Sequence, residues 1–217
     1  MIKRLALICC ILLLPTIAAA EADYGDFWVG GQIGGVFTTD RNLTVTGPGF
    51  EFKNSIGTDA AFSAGAIVGY NFCKLFEQPW ERYSRARAFG VALDFQWNQF
   101  NQSIGHSPSF NGNQFALAFL ARAQLPGMID ETFPLGRLVP FIMAGPAIVW
   151  TNSDFKDFTD VGVVAEIGLE YFIIPQLSIG PSFRYRHVFG GNNDFQNVKI
   201  DSQLDQFMIL ARLGYHF

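Results

Sequence analysis

The chain has 217 residues, 15 Lys and Arg against 19 Asp and Glu, and a formal charge of −4, a balance without the basic stripe that nucleic-acid binding needs. Aromatics make up 15% of it, with 23 Phe, while charged residues are only 16% where about a quarter is usual; that is too fatty for an ordinary soluble secreted domain.

Residues 1–20 begin with Lys3 and Arg4, continue through an almost wholly apolar Leu5 to Leu14, and close with Pro15 and Ala18-Ala19-Ala20. This layout predicts a secretory signal peptide cleaved after Ala20, since its apolar stretch is too short to cross a bilayer. Cys9 and Cys10 fall inside it, and neither follows the small residue of a lipoprotein cleavage site. The mature chain, 21–217, keeps Cys73 alone, which excludes an internal disulfide even in an oxidising compartment. Loss of Lys3 and Arg4 leaves 13 basic against 19 acidic residues, a charge of −6. The mature length suits one domain, and no later apolar run reaches the ~18 residues of a membrane helix. Any membrane contact must come from strands.

Eight segments then alternate with a period of two. In the first, Phe27, Val29, Gly31, Ile33, Gly35 and Phe37 oppose Trp28, Gly30, Gln32, Gly34 and Val36. The second runs from Phe62 to Phe72 with small residues on its other face. The third sets Phe89, Val91, Leu93, Phe95 and Trp97 against Gly90, Ala92, Asp94, Gln96 and Asn98; the fourth sets Phe115, Leu117 and Phe119 against Gln114, Leu120, Arg122 and Gln124. A fifth, Leu138 to Trp150, is apolar on both faces and contains Pro140 and Pro146, residues more usual at edges. The sixth carries Glu166 and Glu170 opposite Val161 to Tyr171, the seventh Arg184 and Arg186 opposite Leu177 to His187. The eighth carries Arg212 and His216 opposite Phe207, Ile209, Leu213, Tyr215 and Phe217.

Each segment is about ten to thirteen residues, the length a tilted strand needs to cross a membrane and longer than most soluble strands. An even set of such strands, fatty on one face, predicts an all-β fold: an eight-stranded antiparallel up-and-down transmembrane β-barrel. Closure pairs every backbone group inside the bilayer. An eight-stranded barrel has room inside only for side chains, and Asp94, Arg122, Glu166, Glu170, Arg184, Arg186 and Arg212 fall on the inward face, where a barrel-interior charge network is expected.

With both termini on the periplasmic side, residues 38–61, 99–112, 151–158 and 190–205 become outer loops, and Ile173-Ile174-Pro175-Gln176 a short inner turn. Two inner connections, 73–87 and 126–137, are long for that side. Phe37, Phe62, Trp97, Phe115, Trp150, Tyr185 and Phe207 then fall near the outer boundary, and Phe27, Tyr70, Phe72, Phe89, Tyr171, Tyr215 and Phe217 near the inner one, as interfacial aromatics do.

Asp26-Phe-Trp-Val-Gly-Gly-Gln-Ile-Gly-Gly35, Gly69-Tyr-Asn71, Arg184-Tyr-Arg-His187 and Leu213-Gly-Tyr-His-Phe217, taken in order, resemble the OmpA-like outer-membrane β-barrel superfamily of Gram-negative bacteria. The resemblance covers essentially the mature chain. It implies an outer-membrane location and contact with outer-membrane lipid, lipopolysaccharide included. It further implies that Phe217, with Tyr215, is an assembly signal read by the barrel-assembly machinery. No peptidoglycan-binding domain is expected after the barrel.

The sharpest catalytic candidate is Arg186-His187, because lipid A deacylases of the PagL type carry His-x-Ser at the barrel rim. Phe189 stands where the serine belongs, and without a nucleophile the His has nothing to activate. His106-Ser107 has no acid nearby in sequence, and Asp154, Asp157 and Asp160 lack the glycine-bearing calcium-loop spacing. The run Gly30-Gly31-Gln-Ile-Gly34-Gly35 lies inside a strand, where glycines suit curvature rather than phosphate. The expectation is a non-enzymatic outer-membrane barrel with no cofactor or metal, whose body contributes to envelope integrity and whose loops make surface contacts with an unidentified ligand. A narrow pore for ions or small solutes and a lipid-modifying enzyme are the alternatives, with a soluble lipocalin-like carrier as the rival fold.

Overall fold

The computed structural model describes residues 27–39, 41–47, 50–58, 60–71, 89–103, 110–125, 127–128, 132–133, 136–153, 157–190, 193–195, 198–200 and 204–217, with backbone only at 41–47, 50–58, 100–103, 110–111, 153, 158, 193–195 and 198–200. The predicted signal peptide, Phe72, Cys73, the connection 73–87, His106, Ser107 and Asp154 lie outside the described residues.

Eight long strands close on themselves. They are β1 (Phe27–Thr38), β4 (Ala61–Asn71), β5 (Phe89–Ser103), β6 (Phe110–Gln124), β7 (Leu138–Ser153), β8 (Phe158–Ile174), β9 (Leu177–Phe189) and β12 (Leu204–His216). Consecutive barrel strands pair antiparallel, and β1 pairs with both β4 and β12, so no barrel strand is left as an edge. The closing seam runs from Trp28↔His216 to Thr38↔Gln206, and Phe217 donates its N–H to the Phe27 carbonyl at 2.9 Å. Closure of this kind lets a sheet survive without water on its backbone.

The eight predicted segments coincide with these strands, and their alternation decides the two faces. Ile33, Phe119, Ile142, Ile167, Ile209 and Leu213 are exposed on the outside, while Trp28, Leu120, Met143, Met208 and Arg184 are buried within. The fifth segment is a full barrel strand. Pro140 and Pro146 occupy its exposed outward positions, and beside Pro146 the β6–β7 ladder lapses between Ala118↔Ala147 and Ala121↔Ala144 without a change of register. A prolyl nitrogen has no hydrogen to give the ladder.

The aromatic belts are contiguous through strand pairing. Phe37↔Phe207↔Tyr185 form one arc and Trp97↔Phe115↔Trp150 another, with Phe62 edge-on to Trp97 at 6.0 Å. At the end bearing the terminus, Phe217 sits 5.5 Å from Phe27 and 5.1 Å from Tyr215.

The connections differ from their predicted form. Segments 38–61 and 190–205, expected as loops, contain β2 (Arg41–Gly47), β3 (Phe50–Thr58), β10 (Asn193–Phe195) and β11 (Val198–Ile200). These make a small antiparallel sheet in the order β10-β11-β2-β3, joined to the barrel where Gly57 and Thr58 pair with the tip of β5. The period of two in Leu43, Val45, Phe50 and Phe52 carried that signal, hidden by the polar residues between. The predicted loops 99–112 and 151–158 also shorten, because β5, β6, β7 and β8 run past the aromatic belt. At the opposite end, the 126–137 connection folds back: Gly127 bridges to Leu138, and Phe133 is buried with Val139 and Phe172.

Candidate functional site

Inward positions on five strands, β1, β5, β8, β9 and β12, converge on one buried polar layer. Arg184 of β9 is its centre. Its Nη1 and Nη2 donate to Asp94 Oδ1 and Oδ2 at 3.0 and 2.9 Å, its Nε and Nη2 donate to Glu166 Oε2 at 2.8 and 2.6 Å, and Nη1 also donates to Gln96. Gln32 completes the ring: its Nε2 donates to Asp94 Oδ2 at 2.6 Å while its Oε1 accepts from Arg184 at 3.3 Å. Arg212 reaches the other oxygen of Glu166 at 3.1 Å. A charge in such an interior survives only when paired and hydrogen-bonded, and Arg184 is satisfied on all three nitrogens.

Nearer the terminal end, Arg122 holds Glu170 through two bonds of 3.1 and 2.7 Å and donates Nε to Gln124 at 2.8 Å. Two-point pairing fixes orientation as well as charge. The Arg122 guanidinium lies 4.8 Å from the Trp28 ring centre and 4.7 Å from that of Phe141, and Arg212 lies 4.8 Å from the same Phe141 ring. Aromatic faces thus offer part of the solvation that water would supply. Below them His216 Nε2 is 3.1 Å from Ser178 Oγ, with its ring 4.7 Å from Phe172.

Nearer the other mouth, Arg186 donates from Nε to Gln206 at 2.8 Å and from Nη2 to Gln206 at 2.5 Å and to Gln114. Asn98, with its amide turned to satisfy its neighbours, accepts from Arg186 and donates to Ser63 Oγ at 2.7 Å. Val36, Met208 and Leu210 form an apolar patch in the wall.

All seven predicted interior charges are buried, and six of them, all but Arg186, join ion pairs. The amides Gln32, Gln96, Asn98, Gln114 and Gln206 were not singled out by sequence; their signal was their inward parity on strands already recognised. Tyr215 and Phe217 lie on the exterior at the terminal end.

His187 faces outward, as expected of a girdle residue, and has a partner that sequence reasoning missed. Its Nδ1 is 2.7 Å from Asp205 Oδ1, which also accepts from Tyr185 Oη at 2.5 Å. Asp205 had been assigned to a loop, but β12 begins at Leu204, and pairing sets Asp205 opposite His187. The Phe189 ring stands edge-on to the imidazole at 4.6 Å, so the place of a nucleophile is taken by carbon.

Among the described residues no group of three or more His, Cys, Asp or Glu side chains is arranged to hold a metal.

A family model described as outer membrane protein beta-barrel domain matches residues 6–217. Among solved structures, OprG from Pseudomonas aeruginosa is 14% identical, with 89% of this chain and 96% of that one covered, at a TM-score of 0.60. Neisserial surface protein A is 12% identical over 90% of this chain and all of its own, at 0.55. AlkL in lipid bilayers is 14% identical over 91% and 93%, at 0.50. At such identities the likeness is one of fold. A search of curated protein sequences finds no match.

Proposed function

The chain belongs to the outer membrane protein beta-barrel domain family, and from that premise we propose that it is a non-enzymatic integral outer-membrane protein whose barrel is a sealed structural body and whose outer connections make surface contacts. The observation that carries this is the layer Asp94–Arg184–Glu166–Arg212, which ties β5, β8, β9 and β12 together across the lumen. Breaking it to open a path strands a buried charge at a cost of roughly 3–5 kcal/mol. In this proposal residues 1–20 export the chain, the termini face the periplasm, and outer-membrane lipid, lipopolysaccharide included, surrounds the barrel. The β2–β3 and β10–β11 hairpins then stand outside, where an unidentified surface ligand would meet them.

Planar-bilayer recording of the purified full-length chain tests the seal. The expected result is no reproducible unitary conductance; a unitary conductance altered by Glu166→Gln would establish instead the narrow pore. The lipid-modifying alternative draws on the His187–Asp205 pair but has Phe189 where attack must start. Lipid A mass spectra from cells with and without the protein should be the same, and a changed acylation pattern would overturn the non-enzymatic assignment.

A further inference from the structure

Among the described residues the lumen buries four guanidiniums, Arg122, Arg184, Arg186 and Arg212, against three carboxylates, Asp94, Glu166 and Glu170. Arg122 is answered by Glu170, Arg184 by Asp94 and Glu166, and Arg212 shares Glu166. Arg212 leaves Nη2 without a hydrogen bond among the described residues, but its charge has a counter-charge. Arg186 is 1% exposed and forms no ion pair with a described residue. Its bonds run only to the amide oxygens of Gln206, Gln114 and Asn98, and none from its Nη1 reaches a described residue.

Neutral carbonyl dipoles orient around a cation without cancelling it, and a desolvated unit charge with no counter-ion is costly. On β9 the inward positions run Ser182, Arg184, Arg186, Val188, so Arg186 is the guanidinium of that strand nearest the mouth that carries the long connections, and Asp160 of β8, paired with inward Val149, stands on the inward face closer to that mouth. Inward Val188, buried, and Leu204, packed on the same core, stand between it and that mouth. A site with one cationic donor group and the apolar Val188 and Leu204 beside it suits a single, weakly hydrated negative charge, and the Asp160 carboxylate nearer the mouth repels a second one. It disfavours divalent anions, whose hydration shell is harder to shed.

We propose that Arg186, caged by Gln114, Gln206 and Asn98, is the binding site of a small monovalent anion of halide size that enters from the mouth bearing the long connections and neutralises the lumen. The site does not depend on whether the barrel conducts: in a sealed body the anion is a resident counter-ion.

The test is thermal unfolding of the full-length chain in detergent, in sodium bromide against sodium gluconate at equal ionic strength. The native protein should melt higher in bromide, by roughly 5 °C at a concentration 100 times the dissociation constant, with saturation. Arg186→Gln should melt at one temperature in both salts, whereas Arg122→Gln should keep the bromide response. Bromide anomalous scattering from crystals of the native protein supplies a readout that needs no variant, with a peak expected within hydrogen-bonding distance of Arg186 Nη1. No bromide response in the native protein, an equal response in Arg186→Gln, or density only elsewhere would overturn the site.

Discussion

Arg184 and Asp94, ninety residues apart in sequence, meet through two parallel hydrogen bonds of 3.0 and 2.9 Å in the middle of the barrel. The pair joins β9 to β5, strands on opposite sides of the closed sheet, and so acts as a strut across the lumen rather than a rung between neighbours.

Removing one end of that strut should cost more than removing both. Asp94→Asn leaves Arg184 with Glu166 alone, and Arg184→Met leaves Asp94 without a counter-charge while Glu166 keeps Arg212, so losses of roughly 3–5 kcal/mol are expected. The double change Asp94→Asn, Arg184→Met, which keeps the Glu166–Arg212 pair, should be milder than Arg184→Met alone. Urea unfolding in lipid vesicles, followed by tryptophan fluorescence, measures the order.

Close strand approach makes some glycines irreplaceable. A Cβ on Gly180 would stand 1.6 Å from the Leu169 carbonyl oxygen, and one on Gly34 1.9 Å from that of Ile209, whereas one on Gly31 meets nothing within 4 Å. Gly180→Val and Gly34→Val should abolish the folded, heat-modifiable gel band after detergent extraction, and Gly31→Val should leave it.

The outer face should reject charge according to depth. Ile167, 60% exposed, lies midway along β8, so Ile167→Arg should destabilise the barrel by roughly 2–4 kcal/mol, falling towards 0–1 kcal/mol at the interface. Asn152, exposed near the end of β7, should accept the same change with little loss. Equilibrium unfolding in bilayers of fixed thickness compares the two.

Phe217→Ala tests the expected assembly signal separately from stability. The Phe217 ring packs on Phe27 and Tyr215, contacts whose loss is small against the whole seam. Phe217→Ala should therefore refold in detergent to nearly the native extent yet reach the outer membrane in much lower yield. Equal yields of assembled protein in cells would dismiss the residue as an assembly signal.

The strands were legible because burial imposes a period of two and lipid imposes a length; a one-residue error would have turned Arg184 outward, so the inward set came with the strands. Register was not legible. Nothing local says that Arg184 reaches Asp94 while Arg186, one inward step away on the same strand, reaches only amides, because that depends on the stagger of strands around the closed sheet. Asp205 was missed by two residues of strand boundary, the least certain quantity in a pattern of alternation. The β2–β3 and β10–β11 hairpins escaped notice because short strands among Asn, Thr and Gly resemble loops until a partner is supplied.

That partner is the other hairpin. Lys199 and Ile200 of β11 pair with Thr46 and Val45 of β2, so two connections far apart in the chain share one sheet. An antibody footprint on that sheet would be composite, and neither hairpin as a synthetic peptide would reproduce it. An insertion within β2 would shift the ladder that holds β11, so a change of length in one hairpin disturbs the other.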